Sequence, residues 1–201
     1  MSMIRLTRRL LVILTVSVVL AGGGGEAGAQ HSDGESEATM RGTYYLTLRN
    51  HTGSKSPRSF YGEGRSTLKA GRCDISRTEL PFLAPAAEVA PFRIPEEILR
   101  VSGLTEMPRS KMWERFSESV GTASPILYVH GYYVDFEKGC RRATVFQENV
   151  GLDGQLLLFS WPSDGSLINY ASDEVDLYWS VPDIAETILE MRDRFPGRKL
   201  N

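Results

Sequence analysis

The sequence predicts an α/β fold: antiparallel edge strands first, then a parallel β-α-β-α run. Three observations carry this. Two short, continuous apolar runs, "PILYVHG" from Pro125 and "QLLLFSW" from Gln155 to Trp161, have the character of strands buried on both faces of a parallel sheet. Each is followed by a stretch with helical apolar spacing. Upstream, "TYYLTLRN", Thr43 to Asn50, is rich in β-formers and lies before any helix pattern.

The elements follow in order. Thr43 to Asn50 is the first strand, and "HTGSKSPRS" after it is a turn-rich loop. A weaker strand lies within Ser66 to Ile75. Pro81, Pro85, Pro91 and Pro95 punctuate an irregular segment that crosses the domain surface. Arg109 to Val120 sets Met112, Trp113, Phe116 and Val120 at helical spacing and predicts a short amphipathic helix. After the strand from Pro125, Asp135 is a suitable N-cap for a helix to about Val150. Its apolar face comprises Phe136, Cys140, Ala143 and either Phe146 or Gln147. Gly151 and Asp153-Gly154 end it. After the strand from Gln155, Ser180-Val181-Pro182-Asp183 reads as a capping box with Pro in the first turn. It predicts a helix from Ser180, with Val181, Ile184, Ala185, Ile188 and Met191 or Arg192 inward. "RKLN" at the end looks like the start of a third strand. Alternating elements of this kind form a parallel sheet, with the earlier strands as antiparallel neighbours at one edge.

The N-terminus has another character. Arg5, Arg8 and Arg9 precede the apolar run Leu10 to Ala21, and small residues follow. Basic, apolar, then small is the plan of a secretory signal peptide, with a cleavage pattern at Ala27-Gly28-Ala29. The run is shorter than the roughly 20 residues that span a bilayer. Residues 1–29 are therefore read as a signal peptide for export to the periplasm or the exterior, the alternative being an N-terminal membrane anchor. Residues 30–41 are read as a disordered polar leader, and residues 42–201 as the folded part.

The chain has 201 residues, 41% hydrophobic and 24% charged, with net charge −2. That balance, with no basic stripe, excludes a nucleic-acid-binding surface. Two cysteines, Cys73 and Cys140, could pair in an oxidising compartment. With Cys140 on an apolar helix face, buried free thiols are favoured over a disulfide.

Ligands of open α/β sheets bind at the carboxyl ends of the strands. Two such ends are readable: His130-Gly131-Tyr132-Tyr133 and Ser160-Trp161-Pro162-Ser163. Gly131 permits φ > 0 and close approach of a ligand to the backbone. The amides that follow it, just before a helix N-terminus, suit an anionic oxygen. Gly131, Tyr132 and Tyr133 are thus the oxyanion-hole candidates. His130 has no acid or nucleophile near it in sequence, so it is read as a packing residue rather than a general base. No G-x-S-x-G is present, and Ser160, Ser163 and Ser166 read as loop or cap hydroxyls. His130, Trp161 and Ser163 line the site. Trp161, Tyr132 and Tyr133 can line an acyl pocket, although core packing is the commoner role for such aromatics. Only three histidines occur, His31, His51 and His130, and no metal-ligand spacing is present.

In combination, Val129-His130-Gly131-Tyr132, Phe159-Ser160-Trp161-Pro162-Ser163 with Gly165, and Tyr170 to Asp173 resemble the alpha/beta-hydrolase superfamily. The similarity covers roughly Pro125 to Asn201 and points to a group of uncharacterised, often exported bacterial alpha/beta hydrolases. Tyr133 departs from it, because an Asn or another polar residue is usual there. The resemblance implies a Ser-His-acid hydrolase of ester or other acyl bonds, with a small-molecule acyl substrate and no cofactor or metal. The His130-Gly131-Tyr132 loop would give one oxyanion N–H. In that family the nucleophile sits on an elbow after the next strand, and the acid and histidine come later. The 201 residues then correspond to the N-terminal part of the fold, without the triad, and the chain is expected to be inactive alone. The strand edges near Val129 and Phe159 are expected to be uncovered. The alternative is a non-catalytic, exported α/β binding module.

Overall fold

The computed structural model describes residues 38–39, 42–77, 96–151, 154–164 and 170–201. The signal-peptide segment, most of the polar leader, the proline-punctuated stretch and Ser166 lie outside the described residues. The folded chain begins slightly earlier than expected. Ala38–Thr39 forms a two-residue strand, β1, inside the stretch read as a disordered leader.

Five further strands follow: β2 (Thr43–His51), β3 (Tyr61–Arg77), β4 (Leu99–Met107), β5 (Ile126–Val129) and β6 (Leu156–Ser160). The helices are α1 (Arg109–Val120), α2 (Phe136–Val150) and α3 (Tyr170–Arg194). The sheet order is β1-β3-β2-β6-β5, with β4 also on β3. The predicted α/β class holds: β1, β2 and β4 pair antiparallel with β3, while β2-β6 and β6-β5 are parallel.

The sheet sits between two helical layers. Tyr44, Leu46 and Leu48 of β2 alternate with Tyr45, as a two-residue strand period requires. The first set packs against Met112, Trp113 and Phe116 of α1 and Met191 of α3. Tyr45 faces Phe136, Cys140 and Ala143 of α2. The predicted inner face of α1 is buried in full. The Asp135 cap of α2 is made by its side chain, which accepts from the Lys138 N–H at 2.7 Å. Gly151 ends α2 in a left-handed conformation. Of the two candidates for the last inward position, Gln147 is buried and Phe146 lies outward, stacked on Tyr128.

Four expectations are corrected. Strand β3 is far longer than the stretch Ser66 to Ile75, and β4 carries no strand prediction at all. In β4 only Leu99 and Val101 alternate inward before Gly103 breaks the pattern. The strand ending at Phe159 is not an edge: β6 is fully buried between β2 and β5. At the free side of β5, which is half-buried rather than buried on both faces, Asn201 makes two backbone hydrogen bonds. Its N–H donates to the Pro125 carbonyl at 3.3 Å and its carbonyl accepts from the Leu127 N–H at 2.9 Å. The "RKLN" segment thus lies beside β5, as a third-strand start should.

The third correction concerns the Ser180 capping box. The helix is already formed at Tyr170 and runs through Pro182. Ser180 Oγ donates to the Asp176 carbonyl one turn back, at 2.7 Å, instead of capping an end. Proline inside a helix removes one bond and strains the turn before it. Here tertiary contacts hold both sides: Arg65 pairs with Asp176 at 2.5 Å, and Arg109 pairs with Glu186 and Glu190. The inward face is consequently Asp173, Leu177, Ser180, Ile184, Thr187 and Met191. Val181 and Ile188, expected inward, are 48% and 37% exposed.

The fourth is the cysteine state. Cys73 of β3 and Cys140 of α2 form a disulfide, with Cα atoms 6.3 Å apart. Both point into the layer between sheet and α2, where they are fully buried. Their sequence separation of 67 residues hides this proximity, because only the folded sheet brings β3 under α2. Closing a loop of that size stabilises the fold by about 4 kcal/mol in the chain-entropy account.

Candidate functional site at the strand ends

The parallel strands β2, β6 and β5 end side by side. Their carboxyl ends bring together the loop His130 to Asp135, the loop Trp161 to Asp164 and the first turn of α3. Both predicted strand-end motifs therefore meet at one place. What ties them together is a residue that carries no motif, Arg49.

Arg49 ends the inward alternation Tyr45, Thr47, Arg49 of β2, and it is only 1% exposed. Its guanidinium spreads over four acceptors. Nε donates to Ser160 Oγ at 3.0 Å, Nη1 to the Ser163 and Gly62 carbonyls at 2.8 and 3.2 Å, and Nη2 to the Val134 carbonyl at 2.6 Å. Burial pulls its pKa down to about 10, opposed by the field of acidic neighbours, among them Asp135 and Asp173. A rigid planar fork with several donors suits this role, and a lysine could not span it.

Asp173, in the first turn of α3, is fully buried. Oδ2 accepts from Ser163 Oγ at 2.6 Å and faces the Tyr133 N–H at 3.4 Å; Oδ1 accepts from the Asp164 N–H at 2.9 Å. Ser163 Oγ in turn accepts from the Val134 N–H at 3.3 Å. Ser163 is thus a loop hydroxyl that links the two strand-end loops.

His130 is 3% exposed and stacks on Trp161, ring centroids 5.2 Å apart. Its Nδ1 lies 2.8 Å from the Gly131 carbonyl, which can only accept, so Nδ1 carries the proton. Nε2 then accepts from Ser160 Oγ at 3.2 Å, while that hydroxyl accepts from Arg49. The Trp161 indole N–H donates to the His130 carbonyl at 2.8 Å. Burial, reinforced by the Arg49 charge, lowers the His130 pKa to about 3. A neutral imidazole whose acceptor nitrogen is already occupied inside the core serves packing and loop placement. Among the described residues, no carboxylate completes the Ser160–His130 pair.

The backbone reading of the loop shifts by two residues. Gly131 is exposed, its φ is not in the left-handed region, and a Cβ there would meet no atom within 4 Å. Tyr133 takes the left-handed conformation instead, with φ 61°, the only non-glycine to do so among the described residues. Asn tolerates that conformation far better than Tyr. This gives a physical meaning to the Asn usual at this position in the resembling group. Tyr132 packs edge-on against Trp161, with centroids 5.4 Å apart. So Gly131, Tyr132, Tyr133, His130, Trp161 and Ser163 do gather at one corner, where Ser160 and Asp173 of the same motifs join them, together with Arg49, which no motif contains. For Arg49 the available signal was a charge in phase with buried positions of an apolar strand. For Asp173 it was the acid of the Tyr170-to-Asp173 motif, quoted but given no role.

Residues 110–201 match the family described as "Alpha/beta hydrolase of unknown function (DUF900)". The matched span takes in nearly all of α1, then β5, α2, β6 and α3, and with them both strand-end loops. It leaves out β2 and Arg49. No curated protein and no solved structure matches the chain. Over residues 110–201, fold and family match together define an alpha/beta-hydrolase-like region.

Two outcomes follow from the buried charges. Arg49→Met leaves three carbonyls and the Ser160 hydroxyl without their donor, and each buried unmet group costs about 1–3 kcal/mol. Urea unfolding of that variant should show a loss of about 3 kcal/mol or more, and Arg49→Lys should recover only part of it; a loss below 1 kcal/mol would refute the pinning role. For His130 the folded pKa, about 3, lies below the unfolded value of 6.5. The unfolded chain therefore binds the extra proton in that window. His130 contributes stability that is complete above pH 6.5 and drains away as pH falls toward 3. Unfolding free energies of His130→Gln should lack one proton's slope there, roughly 1.4 kcal/mol per pH unit, relative to the unsubstituted chain. Parallel profiles would show that His130 is not held neutral.

Proposed function

We propose that this chain is the oxyanion-bearing, N-terminal portion of an exported serine hydrolase that cleaves an ester or another acyl bond. The observation that carries this reading is the loop His130 to Val134. It ends a parallel strand, precedes a helix N-terminus and adopts a non-extended turn at Tyr133. Backbone amides fixed in such a turn stabilise charge that develops on a carbonyl oxygen during acyl transfer. Gly131, Tyr132 and Tyr133 supply them; the half-buried rings of Tyr132 and Tyr133 shape the adjoining wall, and Trp161, fully buried, backs the loop from beneath. The Tyr133 N–H also faces Asp173, at 3.4 Å. The 201 residues hold no G-x-S-x-G, and the serines at the strand ends are committed to Arg49, His130 and Asp173. By itself the chain is therefore inactive in this reading. The disulfide supports export, since such bonds persist in oxidising compartments, and the basic-apolar-small N-terminus agrees with it.

The test is to read the coding DNA past the Asn201 codon, in all three frames, and in the adjacent gene. A strand pattern followed by G-x-S-x-G, with acid and histidine further on, is the expected result. If no such elbow occurs in any frame or neighbour, the hydrolase reading fails. The non-catalytic binding module would then stand in its place.

A further inference from the structure

Tyr133 raises a question that the oxyanion reading leaves open. A bulky residue in the left-handed region is strained by about 1–2 kcal/mol, and it stays there only if its surroundings over-determine it. The carbonyl on the far side of the turn, that of Val134, is gripped by Arg49 at 2.6 Å. The Val134 N–H donates to Ser163 Oγ at 3.3 Å. The Tyr133 N–H faces Asp173 Oδ2 at 3.4 Å, and Ser163 Oγ donates to that same oxygen at 2.6 Å. The other oxygen is taken by the Asp164 N–H at 2.9 Å. Three donors from two loops thus converge on one fully buried carboxylate.

We propose that Asp173 is a positioning residue: its carboxylate, acting through Ser163 and the Tyr133 amide, holds the His130-to-Val134 loop in its left-handed turn. It touches no reacting atom. This gives the acid of the Tyr170-to-Asp173 motif a task, and it rests on the oxyanion reading only for its functional meaning. An asparagine cannot replace it. In either orientation its amide NH2 faces an obligate donor: the Asp164 N–H on one side, or the Tyr133 N–H on the other, where the Ser163 hydroxyl could turn to accept but the Tyr133 amide would lose its acceptor. Arg49 and Asp173 then act as opposite hands of one clamp: the cation takes loop carbonyls and the carboxylate takes loop N–H groups.

The experiment is residue-resolved hydrogen exchange, read by NMR on the whole chain, and it needs no enzymatic activity. Asp173→Asn should speed exchange at the Tyr133 and Val134 amides at least tenfold and leave β2 and β6 amides within twofold. Adding Tyr133→Gly to Asp173→Asn should restore Val134 protection to within threefold, because glycine keeps a left-handed turn unaided. If Asp173→Asn does not yield folded protein, Tyr133→Gly alone decides. It should raise the melting temperature by relieving strain, with loop exchange unchanged. Unchanged loop exchange in Asp173→Asn, uniform acceleration over the whole sheet, a double variant without rescue, or a lowered melting temperature for Tyr133→Gly would each overturn the assignment. Any of these leaves the hydrolase reading standing, since that is decided by the coding sequence.

Discussion

One buried cation holds the functional corner of this molecule together. Arg49 reaches from β2 under two neighbouring strand ends and gathers carbonyls from two loops and the start of β3. Removing a guanidinium from water costs several kcal/mol, so such a group survives inside a protein only with most of its donors engaged and counter-charge nearby. Asp173 supplies nearby negative charge, coupled through Ser163. Everything else at the strand ends is arranged round that pair: His130 neutral beneath Trp161, Ser160 turned inward, and Tyr133 kept in a turn that its own side chain disfavours.

This arrangement also engages the polar side chains of the motifs inside the core. Ser160 sits 3.2 Å from His130, a distance that on a surface would invite a nucleophilic reading. Here the hydroxyl is buried and already accepts from Arg49. The imidazole has been pushed far below its ordinary pKa by the burial that packs it. In the proposed reading, chemistry at this corner falls to backbone amides, which need only be aimed correctly.

How much of this was legible in the sequence follows from where the determining forces are local. Buried strands such as "LLLFS" and capped helices such as the one at Asp135 announce themselves, because apolar periodicity and capping act within a few residues. Strand β4 and the long helix α3 do not. Leu99 to Met107 alternates for only four residues, and α3 runs through Pro182 with Leu177 on one side and Ile184 and Met191 on the other packed on a core built from distant segments. The disulfide is not legible for the same reason, since proximity of Cys73 and Cys140 is a property of the sheet and α2 together. At the site the motif residues were found but the weight fell on Gly131, where flexibility is easy to read. The strained residue is Tyr133, and only a folded environment can show that a tyrosine adopts that conformation.

The central claim is that these residues form the charge-stabilising side of an acyl-transfer site and contain no competent nucleophile. Treating the whole folded chain with a serine-reactive fluorophosphonate, followed by mass spectrometry, tests this most directly. The account predicts no stoichiometric adduct on any serine, with Ser160 and Ser163 unmodified. A single labelled serine, above all Ser160 beside His130, would contradict it.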